Sequence, residues 1–231
     1  MSLFNLAVLI SGSGSNLQAV LDAVGSGTIS NSKVAVVISD RDGAYGLERA
    51  GRSGITNMVI NKKETEKLLD TLKSKNIHGI VLAGYLSILP SDVIDAYCGK
   101  IINIHPALLP LFGGKGFYGI KVHQAVLAAG APYSGATAHL VDSGIDTGAA
   151  LVRGVVPVYA GDTAEGLQKR VLEIEHTVLV QAVKALTEGK TDELKSNPLT
   201  IISENDKPGI TDYAKGLSEL GEVLTKTAAV K

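Results

Sequence analysis

Three observations in this sequence predict an open α/β sheet. Short, nearly continuous aliphatic runs recur at intervals of roughly two dozen residues, the pattern of strands covered on both faces. Segments with helical spacing separate them, so the connections are βαβ crossovers, which wind right-handed. A change to strand, tight turn, strand after residue 135 then adds an antiparallel pair. The fold class is therefore α/β: a Rossmann-like, mostly parallel twisted sheet with helices on both faces and a C-terminal antiparallel hairpin.

Residues 3–10 (LFNLAVLI) are apolar almost throughout and read as a central strand. Ser11-Gly12-Ser13-Gly14-Ser15-Asn16 follows, then Leu17, Val20, Leu21 and Val24 at helical spacing, with Gly25 to end the helix. Small residues before a helix let backbone N–H groups approach an anion at the positive end of the helix dipole, and Ser15 or Asn16 is placed to cap it. The dinucleotide fingerprint would need a glycine at Leu17, and no Gly-Lys-Ser/Thr is present, so a single phosphate fits better than a dinucleotide or triphosphate.

Residues 33–39 give the second strand, 45–52 a short helix interrupted by Gly46, and 56–60 the third strand. A polar helix spans 64–75 with Leu68, Leu69 and Leu72 on one face, and 78–83 form the fourth strand. The apolar loop Gly84-Tyr85-Leu86-Ser87-Ile88-Leu89-Pro90 lies at the same carboxyl edge and suits the wall of a pocket for a flat ring system. Ser91 is placed to cap a short helix to Tyr97, with Cys98 as a buried small hydrophobe at its end.

The fifth strand, 101–104, runs into Asn103-Ile104-His105-Pro106. Strand alternation puts Asn103 and His105 on one face, at the edge where open α/β sheets bind ligands. Three glycines and two aromatics at 111–118 suit a mobile flap. In the helix at 121–129, His123 reads as an ordinary surface or helix residue. Strands at 136–141 and 149–158 flank a turn in which Asp142 and Asp146 read as Asx-turn residues. Asp162 opens a long helix with Glu165 in capping-box spacing, ending at Gly189. Within it Glu175 reads as solvent-facing and His176 as a packing or capping residue. Beyond Lys190 the pattern weakens, with one short helix expected around 217–224.

Composition narrows the function classes. The 231 residues are 45% hydrophobic with a net charge of -1 and no basic run, so a nucleic-acid surface is not expected. One cysteine excludes an intramolecular disulfide and a cysteine metal cluster. No run approaches a membrane span, and the protein is expected to be cytoplasmic, as a monomer or homodimer.

Taken together, Ser11-Gly12-Ser13-Gly14-Ser15-Asn16-Leu17-Gln18, Asn103-Ile104-His105-Pro106, Leu108-Leu109-Pro110 and Asp142-x-x-x-Asp146-x-Gly148 resemble the phosphoribosylglycinamide formyltransferases of purine biosynthesis, over about residues 5–188. The resemblance implies formyl transfer from 10-formyltetrahydrofolate, as co-substrate, to the amine of glycinamide ribonucleotide, without a metal. It implies that Asn103, His105 and Asp146 are catalytic, with Thr137 supporting. It assigns Gly14, Ser15, Asn16 and Glu175 to the ribonucleotide. Lys63, Leu86, Ser87, Ile88, Leu89 and Asn103, together with Asp142, Ser143, Gly144, Ile145 and Asp146, go to the folate. Many members carry Arg where Ser87 stands. A single formyltransferase domain over 1–189 is implied, with 1–100 binding the ribonucleotide, 101–189 holding the folate and the catalytic groups, and 190–231 as an extension.

Two relatives share the Asn, His, Asp constellation. Methionyl-tRNA formyltransferase is expected to carry a basic C-terminal domain, for which this length and charge leave no room. Formyltetrahydrofolate hydrolase usually carries an N-terminal regulatory domain, whereas strand one here starts at Leu3. A non-enzymatic phosphometabolite-binding domain is the third alternative.

Overall fold

The computed structural model describes residues 3–202. Within them lies one eight-stranded sheet of order β3-β2-β1-β4-β5-β6-β7-β8. Its strands are β1 (Phe4–Ile10), β2 (Ser32–Ser39), β3 (Asn57–Val59), β4 (Gly79–Leu82), β5 (Ile101–His105), β6 (Tyr133–Leu140), β7 (Ala150–Pro157) and β8 (Leu199–Ile202). The first five are parallel, and β6 runs antiparallel to both β5 and β7.

β1 shows why its sequence is apolar without alternation. Leu6, Val8 and Ile10 face one core layer, with α1 (Ser15–Gly25) and α6 (Ala164–Thr187). Ala7 and Leu9 face the other, against Leu68 and Leu72 of α3 (Thr65–Ser74) and Val93 of α4 (Ser91–Ala96). Each fully buried Leu or Ile contributes about 2 kcal/mol, so the central strands anchor both layers. α2 (Tyr45–Arg52) and α5 (Ile120–Ala128) complete the crossovers among the parallel strands and into β6.

Gly46 has a packing reason. Gly46 donates its N–H to the Gly12 carbonyl at 3.1 Å, and α2 thereby lies directly against the loop that precedes α1. A Cβ on Gly14 would stand 2.6 Å from the Gly46 Cα, and Gly14 itself sits at φ 73°. Gly14 is also the cap residue of α1, which has no side-chain cap from Ser15 or Asn16. Both side chains belong to the first turn instead.

Several expectations change. The long helix is capped by Thr163, whose Oγ1 accepts the Gly166 N–H at 3.1 Å, one residue later than Asp162. Asp162 instead takes the Tyr159 N–H and the fork of Arg170 at 2.7 and 2.8 Å, a stronger use of its charge. Pro90, not Ser91, stands at the cap position of α4. Cys98 is exposed because Tyr97 takes the core place at the end of that helix. His123 is 1% exposed, since the inner face of α5 falls on Val122, His123 and Val126. The sheet also continues past the hairpin: α7 (Thr191–Ser196) leads to β8, which pairs parallel with β7. Four residues with Pro beside them carried too little pattern to announce a strand. The expected helix around 217–224 lies outside the described residues.

Replacing Gly14 with Ala forces α2 off the loop and places a Cβ at positive φ. Its expected cost is about 1–3 kcal/mol, read as a lowered midpoint in denaturant unfolding. An unchanged midpoint would contradict this close packing.

Candidate active site

Asn103 and His105 share a face of β5, as strand alternation requires, and β6 sets Thr137 opposite His105 and His139 opposite Asn103. The turn between β6 and β7 then folds back over this face, bringing in Asp146 at φ 57°, a left-handed conformation that costs energy in a non-glycine residue. The result is a compact cluster. Asp146 Oδ2 lies 3.4 Å from His105 Nδ1, and Oδ1 lies 3.4 Å from Asn103 Nδ2 and 3.6 Å from His139 Nε2. The Gly114 N–H donates to Oδ2 at 3.0 Å.

Gly113 makes that last bond possible. A Cβ there would collide with the Leu109 side chain and press on Asp146, so only glycine lets the loop come this close. Burial works to raise the Asp146 carboxyl, but His139, the Gly114 N–H and the charge of His105 outweigh it and hold the group below the usual carboxylate range. Asp146 is therefore a buried, ionised carboxylate.

The histidines are oriented by carbonyls. His139 Nδ1 lies 2.8 Å from the Leu140 oxygen, which only accepts, so this nitrogen carries the proton. Neutral His139 then presents a lone pair on Nε2 to the Asn103 amide at 3.1 Å, which fixes which end of that amide is nitrogen. His105 Nε2 donates to the Phe112 carbonyl at 2.8 Å. Burial holds His105 below the ordinary histidine value, opposed by the charge of Asp146 and the Phe112 carbonyl. His105 is thus largely neutral at neutral pH, even though Asp146 favours the imidazolium. His123 stands behind it, pushed down to about 4 by burial and by the charge of His105.

Thr137 is fully buried, and its hydroxyl is spent on the chain after His105. It donates to the Ala107 carbonyl at 2.7 Å and accepts the Leu109 N–H at 3.0 Å. It fixes the loop instead of facing a ligand.

The loop before α1 lies at the end of β1. Arg49 of α2 donates from Nε to the Ser13 carbonyl at 2.9 Å, bracing it from outside. The N–H groups in the first turn of α1 lack intrahelical acceptors and form an anion cradle. Asn16 points inward, its Nδ2 3.4 Å from Glu175 Oε2, while its Oδ1 is buried without a partner. Glu175 is 7% exposed, not solvent-facing, because the inner face of α6 packs against α1. Burial pushes its carboxyl up to about 7, against the weaker pull of the Asn16 amide.

The apolar loop divides its side chains. Leu89 is buried in the core, whereas Leu86 and Ile88 are exposed at 55% and 76%. Ile145 is exposed as well, so apolar side chains are presented by both loops. Asp142 holds its own turn, accepting from the Gly144 N–H at 3.0 Å and Thr147 Oγ1 at 2.6 Å. Ser143 and Gly144 are exposed in the same turn, and Lys63 is exposed after β3. Lys62 rather than Lys63 lines the small cleft beside Tyr85 and Ile88. A separate cavity of about 470 Å³ adjoins Asp146, lined among others by Leu109, Gly113, Thr147 and Arg153.

His139 escaped the sequence reading, although it lies two residues after Thr137 and therefore on the same face. The Phe112 carbonyl left no sequence signal, since any residue there supplies one.

An open α/β sheet with an amide, imidazoles and an ionised carboxylate clustered at its carboxyl edge, beside a helix-borne anion cradle, is the framework of an α/β enzyme. A family model described as formyl transferase matches residues 4–183, and the chain belongs to that family. It is 44% identical over 190 residues to a chloroplastic phosphoribosylglycinamide formyltransferase of Vigna unguiculata, covering 79% of this chain and 61% of the relative. The chain thus spans about three fifths of the length of that plant protein. A phosphoribosylglycinamide formyltransferase of Haemophilus influenzae is 38% identical, over 83% of this chain and 91% of the relative. The crystal structure of the enzyme of that name from Anaplasma phagocytophilum superposes with a TM-score of 0.77 at 33% identity, over 87% of this chain and 98% of that one. Among the described residues, no helix is long and apolar enough to cross a membrane.

Glu175 makes stability depend on pH. Its carboxyl binds a proton more tightly in the folded chain, about 7 against an ordinary 4.5, so its contribution is complete below 4.5 and lost as pH rises through 7. Glu175→Gln should remove a loss of about 3 kcal/mol between pH 4.5 and 8. Thermal melts across that range check this; equal pH slopes in both proteins would refute it.

Proposed function

We propose that this protein transfers the formyl group of 10-formyltetrahydrofolate to the amine of glycinamide ribonucleotide, giving formylglycinamide ribonucleotide and tetrahydrofolate. The observation that carries the reading is the ionised Asp146 held between His105 and Asn103. The anion cradle at the end of β1 supports the ribonucleotide assignment, with Gly14, Ser15 and Asn16 meeting the phosphate and Glu175 the ribose. Exposed Leu86, Ile88 and Ile145 support the folate assignment, with Ser87 and the 142–146 turn contributing main-chain contacts. In this reading the N-terminal half supplies the phosphate loop, and the C-terminal half the catalytic groups.

The chemistry follows from the groups present. The amine attacks the formyl carbon, and charge develops on the formyl oxygen as the tetrahedral intermediate forms. The Asn103 Nδ2–H now in the long 3.4 Å contact with Asp146 is the hydrogen best placed to turn to that oxygen. Neutral His105 takes the amine proton through Nε2 once the Phe112 carbonyl leaves it, and becomes an imidazolium. Asp146 stabilises that cation and holds the ring. The imidazolium returns its proton to the folate nitrogen as the carbon–nitrogen bond breaks. A reducing compartment such as the cytoplasm suits the exposed Cys98 thiol.

The decisive assay follows conversion of 10-formyltetrahydrofolate with and without glycinamide ribonucleotide. Turnover that requires the ribonucleotide supports the transferase, and equal turnover without it would mean a hydrolase. Asp146→Asn removes the countercharge to the imidazolium and should lower kcat at least about 100-fold with the fold intact. Near-normal kcat would overturn the assignment. Asn16→Leu should raise KM for the ribonucleotide more than KM for the folate, and equal effects would argue against a phosphate loop.

A further inference from the structure

Asp40 ends β2 inside the protein and has no part in the proposed chemistry. Its side chain is 3% exposed, an unusual place for a charge without a job. Three side chains converge on it. Ser87 Oγ donates to Oδ2 at 2.6 Å, and Arg41 donates from Nε and Nη2 at 3.1 and 3.3 Å. The Ser11 hydroxyl is the third. Burial works to raise this carboxyl, but those donors, with the charge of Arg41, hold it below the usual range, so it stays charged at neutral pH.

Ser11 is the second knot. Its Oγ accepts the Leu86 N–H at 2.8 Å, and its own N–H donates to the Gly84 carbonyl at 3.1 Å. Residues 84, 86 and 87 are therefore each tied to residues at the ends of β1 and β2. Without those ties, the loop between β4 and α4 would be held chiefly by Tyr85 and Leu89 packing into the core. Leu86 and Ile88 stand exposed because the backbone around them is fixed from behind.

We propose that Asp40 is a positioning residue for the donor-binding loop: through Ser87 and Ser11 it holds the backbone of residues 84–89 in the shape that presents Leu86 and Ile88 to the folate ring. The inference rests on the assignment of this loop to the formyl donor. It gives Ser87 a defined task at a position where many family members carry Arg: its hydroxyl reaches Asp40, and the loop's binding atoms remain main-chain.

The test compares Ser87→Ala, Ser87→Thr and Asp40→Asn in the full chain by two readouts. The first is backbone-amide hydrogen exchange over residues 84–89 without ligand. The second is the pair of KM values in formyl transfer. Ser87→Ala should speed exchange of the Leu86 amide and raise KM for 10-formyltetrahydrofolate by about tenfold, the loss expected for a hydrogen bond to a charged acceptor. KM for the ribonucleotide should move less than about twofold. Ser87→Thr, which keeps the hydroxyl, should restore both, and Asp40→Asn should fall between. Unchanged exchange in Ser87→Ala, a threonine variant no better than alanine, or equal changes in both KM values would each overturn the proposal. Absence of ribonucleotide-dependent transfer in the unsubstituted protein would count against the proposed function alone, and the exchange comparison would still decide whether the latch exists.

Discussion

The site depends on keeping one carboxylate charged where little water reaches it. Removing Asp146 from solvent is costly, and the cost is met by a Gly114 N–H, an Asn103 amide and two imidazoles gathered around both oxygens. Each of those partners imposes its own demand on the chain. Gly113 must lack a side chain, Asp146 must adopt a left-handed backbone, and β6 must run antiparallel to β5 so that His139 meets Asn103. A single ionised group thus sets the geometry of two loops and the direction of a strand.

The sheet places everything else around that group. After β1 the chain builds outward to β2 and β3, then returns to lay β4 on the other side of β1. The crevice at that reversal is where open α/β sheets bind ligands. The loop before α1 and the loop after β4 both open there, hydrogen-bonded to each other through Ser11. β5, next in line, brings Asn103 and His105 alongside. The acceptor cradle, the apolar loop and the catalytic cluster are therefore neighbours by topology.

The sequence announced this frame because aliphatic runs, glycine-rich turns and strand alternation are local signals. Asn103 and His105 were legible for the same reason: two polar residues, two apart, at the end of an apolar strand. What it concealed is non-local. Glu175 reads as a surface residue until α6 is packed on α1, and His123 reads likewise until the inner face of α5 is known. Thr163 displaced Asp162 as a cap because Arg170, two helical turns on, claimed the aspartate. The hydroxyl of Thr137 was visible, but not that two backbone groups from the 107–109 loop would consume it.

The Phe112 carbonyl gives the resting site a further property. By bonding His105 Nε2 at 2.8 Å, the chain occupies its own base with its own backbone. Any ligand that engages this nitrogen must first displace that oxygen, so some of its binding free energy goes into rearranging the 108–114 loop. Water alone brings little such energy, whereas a ligand gripped at distant points brings much more. The empty enzyme is in this sense already bound to itself, and its reactivity is released by the molecule it recognises.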